Sequence, residues 1–86
     1  MSVLEDLRSL TLELSDDTKR TSENLAAYSR AFNKQRDGIN QALRGSNQKK
    51  DQELMATVDD AERQVKQAVA ALQKASRVAR DYAHSL

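Results

Sequence analysis

Apolar side chains return every three or four positions along almost the whole of this chain, from Leu4 to Leu86. That period belongs to α-helices burying one face, whereas a half-buried strand alternates with a period of two. With heptad position a at Leu4 and d at Leu7, the a series reads Leu4, Thr11, Thr18, Leu25, Phe32, Ile39. The d series reads Leu7, Leu14, Thr21, Tyr28, Gln35, Ala42. The pattern resumes with a at Asp51, Val58, Val65, Leu72, Ala79, Leu86 and d at Leu54, Ala61, Ala68, Ala75, Tyr82.

The one interruption is "LRGSNQKKD", residues 43–51, close to the midpoint of a chain with two glycines and no proline. Gly45 suits the left-handed conformation that ends a helix, with Arg44 beside the negative helix end. Ser46 or Asn47 can then cap a second helix. Ser2 and Glu5 have capping-box spacing for the first. "SDDT" at 15–18 offers an internal cap that would split it. The expected fold is all-α: a single domain, 1–86, with helix 1 over about 3–44, a turn at Gly45, Ser46 and Asn47, and helix 2 over about 48–85. Equal arms on a short turn make an antiparallel two-helix hairpin.

Facing a positions against d positions, with Ala42 opposite Asp51, pairs Ile39 with Leu54, Phe32 with Ala61, Tyr28 with Val65 and Leu14 with Ala79. The expected seam thus contains Leu14, Leu25, Tyr28, Phe32 and Ile39 from helix 1. Helix 2 supplies Leu54, Val58, Val65, Leu72 and Tyr82. Large residues face alanines, as interdigitating layers require. Serines at 15, 22 and 29 recur at heptad spacing on the e flank, a smooth stripe for a partner helix. Two helices enclose little core, and a chain of 86 residues is hard to stabilise alone. The hairpin is therefore expected to complete a four-helix or larger bundle with a protein partner. The expected contacts are Leu10, Ser15, Ser22, Ser29, Leu43, Met55, Val69 and Val78.

Composition narrows the function. The absence of cysteine removes disulfides and thiolate metal sites. A single histidine, His84, is too little for a typical zinc site. Asp16–Asp17 and Asp59–Asp60 are sequence neighbours, which diverge on a helix and make no acid–base dyad. There is no glycine-rich phosphate loop and no Ser-His-acid set to place in a pocket. These features point away from an enzyme, a cofactor or a small-molecule substrate. No apolar run reaches the ~18 residues of a membrane span, and "MSVLEDLRSL" lacks a signal-peptide h-region. Net charge is +1, too even for general nucleic-acid attraction. Lys34, Arg36, Arg44, Lys49 and Lys50 cluster near the turn, yet no exposed aromatics interleave with them, and a solvated tip accounts for them better than a phosphate footprint does.

In architecture the chain resembles the Esx-type (Trp-x-Gly) helical-hairpin proteins of bacterial type VII secretion, and the small helical partners of LXG toxins. Leu43-Arg44-Gly45 holds the family's turn glycine, with leucine in place of tryptophan. The family's export signal is Tyr-x-x-x-Asp/Glu; here Tyr82 is followed four residues later by Leu86. The tail "ALQKASRVARDYAHSL" is small and amphipathic, as in that group. The resemblance implies a non-catalytic adaptor in the bacterial cytoplasm. It would bind the helical N-terminal domain of an effector and accompany its export by a route independent of signal peptides. Two other readings of a short helical hairpin are a self-assembling needle or rod subunit, as in type III secretion, and a homodimeric four-helix RNA-binding protein using Arg36, Arg44 and Lys49.

Overall fold

The structure, a computed structural model, describes residues 2–86. It is an antiparallel hairpin of two helices, α1 (Val3–Ala42) and α2 (Lys49–Ser85). At 1.5 Å per residue, 40 and 37 residues give rods of about 60 and 55 Å. The molecule measures 65 × 18 × 14 Å.

α1 starts where Ser2 accepts a hydrogen bond from the Glu5 amide at 3.1 Å, with Glu5 and Asp6 at the positive helix end. It runs unbroken through "SDDT". The Thr18 hydroxyl caps nothing and donates to the Leu14 carbonyl at 2.8 Å. Thr11, Thr21 and Thr57 bond back one turn in the same way, at 2.8–2.9 Å, so these hydroxyls are satisfied within their own helix. Gly45, at φ +81°, makes the left-handed turn. The cap of α2 differs from expectation. Gln48 holds the N-cap position without a side-chain bond. Ser46 sits two residues earlier, donates to the Asp51 carboxylate and accepts from the Gln48 amide at 3.3 Å. Asp51 draws the serine forward into the first turn.

The seam departs from the expected a–d frame. Along α2 the buried and partly buried residues are Asp51, Met55, Val58, Glu62, Val65, Val69, Leu72, Ser76, Ala79, Ala83 and Leu86. They alternate in steps of four and three, which are positions a and e. α1 buries Ser15, Ser22 and Ser29 at e, and partly buries Leu25, Phe32 and Ile39 at a. Ser15 lies opposite Ser76, so opposed e positions carry numbers adding to 91 and the a positions match one residue off, at 90; like positions face like. The a-position expectations, Leu25, Phe32, Ile39, Val58, Val65 and Leu72, lie on the seam. The d-position ones do not: Leu14, Tyr28, Leu54 and Tyr82 are exposed.

Size and hydrogen bonding explain the rotation. Ser15 Oγ donates to the Ser76 carbonyl at 2.8 Å, and Ser76 Oγ donates to the Ser15 carbonyl at 2.8 Å. A hydroxyl reaches a backbone carbonyl of the other helix only if the two backbones approach closely. Serines, with Ala79 and Ala83, permit that approach; the leucines and tyrosines of the d column would hold the helices apart. Little apolar surface is sealed as a result. Ala79 and Ala83 are the only fully buried apolar residues among those described.

Candidate partner-binding surface

Antiparallel helices that oppose like positions are related by a pseudo-two-fold axis normal to the plane of the hairpin. Positions d and g of both helices therefore share one broad face, and b and f share the other. The lining of the surface hollows agrees. Leu25, Tyr28, Ala31, Phe32, Gln35 and Val65 bound a shallow hollow on the d/g face. Lys19, Ser22, Glu23, Gln73, Ser76, Arg77 and Arg80 bound one on the b/f face.

The d/g face is uncovered and carries most of the exposed large apolar side chains, interrupted by Asp17, Thr21, Asn24 and Gln35 on α1 and by Thr57 and Gln64 on α2. α1 contributes Val3, Leu10, Leu14 and Tyr28, with Tyr28 72% and Leu10 62% exposed. α2 contributes Leu54, Val78 and Tyr82, separated by exposed alanines at 61, 68, 71 and 75. Leu10, Leu14, Val78 and Tyr82 gather at the open end of the hairpin, beside exposed Leu4. A contiguous apolar patch of this kind marks an interaction surface, where scattered single leucines would not.

The b/f face is polar and carries the seam's one ionic cluster. Glu62 is 3% exposed. Its carboxylate pairs with the Arg36 guanidinium and with Lys66 Nζ at 2.9 Å. With its amide nitrogen turned toward Glu62, Asn33 donates at 3.1 Å. Arg36 also lies 3.9 Å from Asp59 and 3.3 Å from Asp37. The register sets Arg36 level with Met55 and Glu62 level with Ser29, about 10 Å apart along the axis. Helical side chains lean toward their own N-terminus. In antiparallel helices those leans converge, so the pair meets between the two levels.

The structure redistributes the expected contact residues. Ser15, Ser22 and Ser29 are buried and Val69 is partly buried, all between the chain's own helices. In the closed hairpin the serines face the seam, and Val69 borders a shallow hollow of the b/f face. Leu43 and Met55 are partly buried at the turn end, where they line a shallow hollow with Ser46, Asp51 and Gln52. Leu10 and Val78 are exposed on the d/g face. Leu14, Tyr28, Leu54 and Tyr82, read from sequence as seam, join them there. Their signal was the wide apolar arc itself: it supplies two adjacent faces, and periodicity does not say which one closes first. Arg36 is turned onto Glu62, whereas Lys34, Arg44, Lys49 and Lys50 remain exposed.

Among the described residues no group of three or more His, Cys, Asp or Glu side chains is arranged to hold a metal ion, and no helix is long and apolar enough to cross a membrane. No family model, curated protein or solved structure matches the chain.

Proposed function

We propose that this protein is a non-catalytic helical adaptor whose d/g face docks on the helices of a protein partner to make a four-helix or larger bundle. The observation that carries this reading is the imbalance between the two faces. The hairpin seals two alanines and a few serines inside, and leaves Leu10, Leu14, Tyr28, Leu54, Val78 and Tyr82 outside. Each large apolar side chain buried contributes about 1.5–3 kcal/mol, so covering this face adds stabilisation that the half-covered seam of the hairpin alone does not supply.

The partner class follows from the resemblance to small helical-hairpin proteins of type VII secretion. It is the helical N-terminal domain of an LXG-type effector, met in the bacterial cytoplasm and accompanied toward export. A hairpin with glycine at its turn supports that assignment, and so does an amphipathic character carried by the hairpin as a whole. The test is co-purification with such a domain from the same genome, followed by titration calorimetry. Leu10→Glu combined with Tyr28→Glu should weaken binding at least tenfold, about 1.4 kcal/mol, with helicity unchanged. Undiminished binding by that double variant, or no binding by the native chain, would remove the reading.

A further inference from the structure

The b/f face carries a basic groove, and we infer that it binds an acidic α-helix of a protein partner, carboxylates against Lys19, Arg30, Arg77 and Arg80.

Charge is the first observation. Two hollows follow one another along this face. Lys19, Arg77 and Arg80 line one, Arg30 and Lys66 line the other, and Glu23 is the single carboxylate between them. That lining carries +4 in a chain whose net charge is +1, which leaves −3 to everything else. Lys66 is held by Glu62 at 2.9 Å. The other four cations are exposed and make no ion pair among the described residues.

Geometry is the second. Arg77 and Arg80 stand about one turn apart on α2, and Lys19 faces them from α1. Side chains lean toward their own N-terminus, so on antiparallel helices these three lean toward one another. By the hairpin register their group lies about 20 Å along the axis from Arg30 and Lys66. Small residues, Ser22, Ala26, Ser29 and Ser76, stand between the two basic walls. A third helix can therefore lie close along the groove. Its carboxylates would fall in two groups three to four turns apart, about 20 Å.

The same groove suits a nucleic acid poorly. Asp16 and Glu23 alternate with the cations of α1. A protein helix can meet them with a lysine, whereas a phosphate backbone presents only negative charge. No aromatic side chain lines either hollow, so bases find no stacking platform. The groove lies opposite the d/g face, and the inference does not rest on the adaptor reading.

The probe is a synthetic alanine-based helix with two pairs of glutamates about 13 positions apart, alongside its glutamine counterpart. Titrated into the full chain and followed by amide NMR shifts, the glutamate peptide should saturate. It should move Lys19, Ser22 and Arg77 and spare Leu10 and Tyr28. Arg77→Gln with Arg80→Gln should weaken it about fivefold, as the loss of two exposed ion pairs implies, with helicity kept because glutamine is a good helix former. Arg20→Gln with Lys74→Gln removes the same charge from the outward edges at similar height and should change binding by less than about twofold, because screening limits charges off the groove. Equal binding of the glutamine peptide would overturn the inference, as would undiminished binding by the Arg77, Arg80 variant. So would a duplex RNA that moves the same amides and displaces the peptide, since the groove would then be a phosphate site. Leu10→Glu with Tyr28→Glu should bind the peptide as the native chain does, so failure here and failure of effector docking are read separately.

Discussion

Two buried polar contacts set how the helices of this hairpin meet, and they differ in what their loss should do. The Ser15–Ser76 exchange is neutral and reciprocal. Ser15→Ala removes one donor and leaves the Ser76 carbonyl to its own helix, so the cost should be about 1 kcal/mol. Ser15→Leu adds apolar surface but forces the backbones apart, and should cost about 1–3 kcal/mol; urea unfolding measures both. Glu62 is a charge withdrawn from water, held by Arg36 and Lys66. Arg36→Ala leaves that carboxylate with Lys66 and Asn33 only and should destabilise by up to ~3 kcal/mol. Replacing both partners, Arg36→Met with Glu62→Leu, should be neutral or stabilising, since the pair's desolvation disappears with it. If the double variant is less stable than Arg36→Ala, the cluster supplies packing that this reading omits.

At the scale of the helices, the turn rests on one backbone conformation. Gly45→Ala places a Cβ at φ +81° and should lower the unfolding free energy by about 1 kcal/mol; a rise in Tm would contradict the strained-turn reading. Helix existence, the position of the turn and the a-position seam were all legible in the sequence, because long amphipathic periodicity and a lone turn glycine are strong local signals. The second seam column was not. The d column outranks the serine column in hydrophobicity, and ranking by hydrophobicity alone puts Leu14 and Tyr28 inside. The serines win through close backbone approach and hydrogen bonds across the gap, neither of which a periodicity count contains. The α2 cap was misplaced for a related reason: Ser46 has the right chemistry, but Asp51 recruits it from two residues before the cap.

For the whole molecule, the consequence is an inversion of which surface serves what purpose. The smooth serine stripe holds the hairpin together, and the face with the larger side chains is left uncovered. That division is the central claim, and a pair of engineered disulfides tests it directly. Ser15→Cys with Ser76→Cys joins residues whose hydroxyl oxygens lie 3.2 Å apart across the seam. Leu14→Cys with Ala79→Cys joins the residues that an a–d seam would bring together. Under mild oxidation at low concentration, the first variant should close an intramolecular disulfide and the second should remain reduced. Closure of the second and not the first would place the serines outside and return Leu14 to the seam, contradicting the account.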